Sequence, residues 1–409
     1  MKTLVTLLAL GALLFAEFEI QGHVGIDTQA FLITSEQKHK NNFTAYEQLE
    51  MSYSMDALRV ATRLYAQQDY YDAAGDEKNE RTFGRVDELY GVYEFEEDAL
   101  FAGRNIRFWG ALEARNIVDG FNTQDFRNDL FNADKMGAWN VAYSHFTDNG
   151  EFSVIVKLYE EDQKMAAAPY AYYFFPPFMN YDDALQSEES LYRPTVYVSY
   201  SGTSDTQYAI DYALIMQHGY DSQRYFQADG PLNGSPVTLT AQAYLVNKVM
   251  TYNTALIDAT LIKLEALYAD VIDDEMVSDY WHLGFGVEYT LNFEDLDGDL
   301  GLISEYYRYE TLDSDKLSDL ELFETFENDL FLGVRYTFND ADDSSLVGGI
   351  IADLKYDEQA YYVEVETRVA ESFKVNVDYR YIEPSSSDPT AYALLKRHER
   401  LGLKVAYYF

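Results

Sequence analysis

Charged side chains recur at every second position through much of this chain, and that spacing is its first chemical signal. Glu364, Glu366 and Arg368 alternate with apolar residues; Lys374, Asp378 and Arg380 do so in the next segment, and Arg400 and Lys404 in the last. Glu50, Arg59, Arg63, Asp211, Glu288 and Arg335 fall on the same polar face of other segments. Groups of both signs on one face suit a wetted wall. There they either neutralise one another or set up a field that sorts solutes by charge. Residues 109–137 add Arg115, Asp119, Asp125, Arg127, Asp129 and Lys135, with Asn105 and Arg107 just before them. A connection of that length is seldom inert, and it is expected to fold into the lumen as a constriction, with an extracellular flap the alternative. The solute-facing candidates are therefore Arg59, Arg63, Asn105, Arg107, Asp119, Asp125, Arg335, Glu364, Glu366, Arg368, Asp378 and Arg380.

Reactive chemistry is not indicated. His23, His39, His145, His218, His282 and His398 show no paired ligand spacing, and no nucleophile elbow occurs. Zero cysteines exclude disulfides and thiolate metal sites. The run Asp295, Asp297, Gly298, Asp299 superficially suggests a calcium loop, but its twelfth position is Tyr306 rather than Glu, so it reads as a turn. No catalytic residue, cofactor or metal is expected.

The elements that carry these charges have a period of two, the signature of strands. Phe152, Val154, Val156 and Leu158 share one face; so do Tyr208, Ile210, Tyr212, Leu214 and Met216. Near the end Tyr361, Val363, Val365, Thr367 and Val369 form an apolar face, followed by Phe373, Val375, Val377, Tyr379 and Tyr381. Such segments match the ~9–11 residues of a tilted strand crossing a bilayer. Short polar turns fall at 54–56, 95–98, 147–150, 202–206, 292–299, 338–344 and 370–372. Longer connections fall at 34–42, 70–82, 109–137, 160–190, 219–236, 268–278, 311–327 and 383–396. Tight turns on one side and long loops on the other mark a transmembrane antiparallel up-and-down β-barrel. Its strands number about eighteen, with sixteen the alternative, because alternation falters within 237–268 near Asn253 and Leu264. Aromatic residues recur near segment ends (Tyr53, Tyr65, Tyr143, Tyr200, Tyr289, Phe338, Tyr381), as interfacial girdles require.

Composition narrows the setting. The 409 residues carry 30 Lys+Arg against 70 Asp+Glu, a formal charge of −40. That excludes nucleic acid as a partner, since phosphate binding needs clustered Lys and Arg. At 47% hydrophobic the chain is not a disordered polyanion. Residues 1–16 combine Lys2, an apolar run to Phe15 and a small Ala16, the pattern of a cleaved secretory signal. The barrel then occupies 17–409, with 109–137 and 160–190 its longest extracellular loops. Segment 18–34 already reads as a strand, leaving no room for an internal plug domain.

Two stretches carry a resemblance. The chain ends on Leu401, Leu403, Val405, Tyr407 and terminal Phe409, alternating with Gly402, Lys404, Ala406 and Tyr408. This resembles the C-terminal strand signal of bacterial outer-membrane proteins, which implies recognition by the barrel assembly machinery. Gly103-Arg104-Asn105-Ile106-Arg107-Phe108-Trp109-Gly110, followed by Asp119-Gly120-Phe121-Asn122-Thr123-Gln124-Asp125, is similar to a motif of Gram-negative porin-like proteins. There a strand ending Gly-Arg-Gln…Trp-Gly leads into a loop with Asn-Pro-x-Asp; Asn105 and Thr123 depart from that pattern. The resemblance implies an outer-membrane porin of a Gram-negative bacterium, in contact with lipid and lipopolysaccharide, passing small solutes and compatible with a homotrimer.

Three readings of function follow. The leading one is a passive diffusion channel for small hydrophilic solutes, favouring cations because acidic groups crowd the loops (Asp69, Asp72, Asp76, Glu77; Asp313, Asp315, Asp319, Glu321, Glu324, Glu327). A second is a channel specific for apolar or aromatic compounds, motivated by the aromatic–proline run at 166–178. A third is a structural or adhesive barrel. Arg104 sits awkwardly in every version: it shares a parity with Leu100, Ala102 and Ile106, so a bulge or snorkelling is required. The C-terminal stripe is directly testable. Removing Phe409 is expected to lower the fraction of heat-modifiable, folded barrel in outer-membrane fractions, and an unchanged yield would remove its role as an assembly signal.

Overall fold

The computed structural model describes residues 16–33, 39–74, 80–232, 234–292, 298–313, 316, 320–395 and 397–409. The signal read at 1–16 lies outside them except for Ala16, as do Asp76, Glu77, Asp295, Asp297, Asp315 and Asp319. Eighteen antiparallel strands form one sheet. The first six are β1 Ala16–Ile33, β2 Asn41–Met55, β3 Leu58–Asp69, β4 Phe83–Phe95, β5 Asp98–Asn105 and β6 Ala138–Thr147. Then come β7 Gly150–Lys157, β8 Thr195–Asp205, β9 Ala209–Tyr220, β10 Leu245–Ile257, β11 Thr260–Val271 and β12 Tyr280–Asn292. The last are β13 Asp299–Thr311, β14 Asn328–Thr337, β15 Ser345–Asp353, β16 Gln359–Val369, β17 Phe373–Glu383 and β18 His398–Tyr408. Each strand pairs with its sequence neighbours. β18 closes on β1 with Ala406 opposite Gly25 and Lys404 opposite Asp27. Gly22 and Phe409 exchange backbone bonds of 3.0 and 3.1 Å across that seam. Closure leaves no sheet edge, which is what allows strands to cross lipid.

Alternation decides the two faces. Ile20, Val24, Val60, Leu100, Val141, Leu214, Val249, Leu302, Leu332, Val363 and Leu403 are all exposed on the outside. This apolar belt makes the barrel a bilayer-spanning structure. One turn end is tight because acidic residues accept positive φ at the first turn position: Asp56 at 47°, Glu96 at 52° and Asp258 at 52°.

Several boundaries differ from the sequence reading. Two connections escaped it, the turn at 258–259 and the five-residue link at 354–358; both carry acidic residues and neither Gly nor Pro. The turn expected at 202–206 lies at 206–208, because β8 continues to Asp205. Residues 237–268 contain a short strand outside the barrel, Val237–Gln242, before β10 begins; it pairs in parallel with Met179–Gln186 above the wall. Tyr65 faces inward rather than joining the girdle, where it stands opposite Arg85. A bulge between Arg63 and Leu64 disturbs β3 against β4.

Val365 is exposed at mid-strand on the outside, while its neighbour Glu364 points inward. Val365→Arg is expected to cost ~2–4 kcal/mol of folding stability in lipid vesicles, and Glu364→Arg much less, by denaturant titration. Equal penalties would mean that the two faces had been assigned wrongly.

Candidate functional site

The 106–137 connection does not leave the barrel. It folds inside and is fixed to the wall through its own backbone. The Glu265 carboxylate on β11 accepts amides from Ala111 at 2.5 Å, Leu112 at 3.0 Å, Ile117 at 2.7 Å and Val118 at 3.3 Å. Glu305 on β13 accepts those of Glu113 at 2.8 Å and Ala114 at 3.0 Å. Arg115 N donates to the Tyr307 hydroxyl at 3.1 Å. A loop without strand partners must satisfy these donors somewhere, and bonds to charged acceptors are worth ~1.5–3 kcal/mol each. Beside Glu305, with Lys263 4.0 Å away, stands a cluster of paired charges. Lys263 lies 3.0 Å from Glu288, Arg335 reaches Glu288 at 3.0 Å, and Arg335 also pairs with Glu113 of the loop. Glycine makes the close approach feasible: a Cβ on Gly284 would collide with Leu112, and one on Gly286 would meet it at 3.0 Å.

The far arm of the loop is clamped to the opposite wall. Asp125 bonds Arg85 of β4 at 2.8 Å and Arg127 of its own loop at 2.6 Å. Gln29 and Gln67 reach Asn128 at 3.3 and 3.1 Å, and Arg400 reaches Asp129 at 2.8 Å. Burial alone would raise the Asp129 carboxyl, but Arg400 and Arg380 hold it below its usual range. Asp134, deeply buried and only partly offset by Arg85, is raised.

The lumen is thereby split into two chemically different halves. Beneath the first arm the inner wall is apolar: Ile155, Tyr197, Ile215, Val246, Met250, Leu267 and Tyr309 bury themselves against Trp109, Val118 and Phe121. On the other side a cavity of about 470 Å³ runs along the wall. It reaches from Lys374, beside the tight turn before β17, to Arg81 and Arg400 at the loop end. Its charged lining contains eight Lys or Arg and seven Asp or Glu, so it is close to balanced. Most of these are paired, as in Arg63 with Glu50 at 2.9 Å, Lys374 with Glu366 at 2.7 Å, and Arg400 with Asp378. Among the described residues Arg380 and Lys404 make no ion pair; Arg380 lies 5.8 Å from the Phe131 and Tyr362 rings and Lys404 4.7 Å from that of Tyr46.

Five sequence candidates line this cavity: Arg63, Glu364, Glu366, Asp378 and Arg380. Seven do not. Asn105 and Arg107 staple the loop's start, with Asn140 donating to Asn105 Oδ1 at 2.7 Å and Arg107 N donating to Asn122 at 2.8 Å. Asp119 pairs with Lys135 inside the loop, and Asp125 and Arg335 are wall clamps. Arg59 is exposed near the tight turn, and Arg368 pairs there with Asp343 at 3.3 Å. Arg104 resolves its conflict of parity by bonding Val86 O at 2.7 Å and pairing with Glu161 above the rim. The anchors Glu265 and Glu305 were missed. Their inward parity with Lys263 and Ile303 was the available signal.

The aromatic–proline run turns inward too. Ala166, Tyr170 and Tyr172 are buried against Phe31, and Tyr173 and Phe175 against Met165 and Leu239. The Tyr172 hydroxyl receives a bond from Arg400 at 2.7 Å.

No protein-family model and no curated protein matches the sequence. Solved structures do match. Acinetobacter baumannii OccAB3 superposes with a TM-score of 0.55 at 10% identity, over 96% of this chain and 99% of that one. Pseudomonas aeruginosa OpdQ gives 0.54 at 8% identity, over 96% and 98%. Pseudomonas aeruginosa OccK3 gives 0.53 at 8% identity, over 96% of both. At such identities the likeness concerns architecture: the chain has the closed-barrel fold of these proteins.

Proposed function

We propose that the protein is a passive channel of the Gram-negative outer membrane, carrying small hydrophilic solutes along the polar half of its lumen. The observation behind this is the charge-lined cavity left open beside a loop that is fastened at both arms. A barrel kept only for adhesion or structure has no need of a wetted passage walled by fifteen Lys, Arg, Asp and Glu side chains. A channel for apolar compounds loses its motivation, because the aromatic residues of 166–178 are engaged in burial rather than presented to solute. The C-terminal stripe ending at Phe409 supports insertion by the barrel assembly machinery.

The loop anchors set the width of the passage. Glu265→Ala removes an acceptor for four amides, each bond worth ~1.5–3 kcal/mol. We expect a larger and noisier single-channel conductance from a barrel that is still heat-modifiable. Conductance identical to the parent would show that the 111–118 arm does not bound the conducting path.

Selectivity is expected to come from the mouths, since the cavity is nearly neutral in sum. Acidic loops concentrate cations over a Debye length of ~8 Å. The reversal potential in a potassium chloride gradient should show cation preference at low salt, fading as salt rises. Anion preference would instead mean that Arg380 and Lys404, the cations of the cavity lining that make no ion pair among the described residues, govern permeation.

A further inference from the structure

At the loop end of β14 and β15 a group of carboxyls is buried under a short helix, Ala391–Leu395. Glu327 and Asp329 are 2% and 1% exposed. Glu327 Oε1 and Asp329 Oδ1 meet no hydrogen-bond partner among the described residues. Asp329 stands directly across from Asp353, a like-charge pair that is unfavourable when both are ionised. The remaining neighbours offer little neutralisation. From the same loop comes Glu324. From the 354–358 link come Tyr356, Lys355, which is held by Glu321, and Glu358, which accepts from Ser385 N at 2.8 Å and from the Thr390 hydroxyl. From the helix comes the buried phenol of Tyr392, which also feels the charge of Arg380, and from β13 come Tyr307, opposite Asp329, and Arg308, opposite Asn328 and engaged with Glu310 at 2.9 Å. Asp353 already accepts the amides of Lys355 and Tyr356 at 2.6 and 2.8 Å.

A buried carboxylate with no cation against it takes up a proton rather than bear the desolvation. We propose that Glu327 and Asp329 share a proton, and that this neutral pair latches the 385–394 segment onto the constriction loop. The helix is mechanically linked to that loop. Tyr392 is buried in one cluster with Phe331, Ile351 and Ile382, with Phe131 of the constriction loop against it. The Phe131 and Tyr392 rings lie 6.4 Å apart. Loss of the proton to water leaves two buried carboxylates, two residues apart in one segment, beneath the helix, and the least costly relief is to lift the helix and admit solvent. Burial, and then the proximity of Asp353, push Glu327 from its ordinary 4.5 up to about 7. A carboxyl raised in this way stabilises the docked state fully below its free value, and the contribution is lost as pH rises through the raised one. The latch therefore holds in acid and loosens above neutrality.

Amide hydrogen exchange on the full chain in detergent tests this without relying on conduction. Corrected for intrinsic rates, protection of residues 385–394 should fall between about pH 5.5 and about pH 8.5. Glu327→Gln, which keeps the shape but never ionises, should stay protected at both, and Asp329→Asn serves as a second such variant if the first fails to fold. A flat profile in the parent, or the same decline in both variants, would overturn the shared proton. So would restoration of protection at alkaline pH by millimolar calcium, since the neutralising species would then be a cation.

Discussion

Two carboxylates on the inner wall, Glu265 and Glu305, determine what kind of lumen this barrel has. Between them they accept six consecutive or near-consecutive amides of one loop. An unpaired buried amide costs a few kcal/mol, so the loop could not lie there without them. Because it does lie there, the wall behind it is dry and its inward positions become Leu267, Ile215, Tyr197 and Val246. The wall away from it stays wet and keeps its charges. One set of hydrogen bonds thus divides the interior into an apolar core and a charge-lined cavity.

That division also explains which parts of the molecule were legible in sequence. Period-two alternation is a property of lipid on one side and water on the other, and it gave the strands and their facing wherever both solvents are present. On β16 and β17 it put Glu364, Glu366, Asp378 and Arg380 on the inner face, where they line the polar cavity. Within 237–268 it faltered for a physical reason. There the inner face is covered by the loop, so Met250 and Leu267 are apolar inside as their neighbours are outside. The strands are regular, but these inner apolar residues and Asn253, on the outward parity opposite Leu264, blur the contrast between faces that Lys248, Lys263 and Glu265 still mark. The short strand Val237–Gln242, which belongs to a loop sheet, added a second false start.

The loop residues illustrate the opposite limit. Asp119, Asp125, Asn105 and Arg107 were singled out because polar groups in a long connection suggest contact with solute. Each is used to hold the connection in shape. Spacing reveals which face of a strand a residue occupies, but an irregular loop has no period. Whether its charges meet water or one another depends on a path that local sequence does not encode. Glu265 and Glu305 show the complement: their parity was readable, but their partners are backbone amides some 150 to 190 residues away.

The chain's formal charge of −40 has a structural origin as well. A large acidic excess invites an explanation in terms of ion selection, yet many of these groups serve as acceptors for loop amides. Asp69 receives Tyr71 N, Asp129 receives Phe131 N, Asp221 receives Gln223 N, Asp274 receives Met276 N, and Asp340 receives Ser344 N. Long irregular loops expose many unpaired donors, and short acidic side chains bond them two to four residues on. Several of these carboxylates are also matched by buried bases, as Asp221 is by Lys248 at 2.6 Å. What reaches solvent is only part of the total. The acidic excess follows first from building ordered loops without regular secondary structure, and the field at the mouth follows from whatever that construction leaves uncompensated.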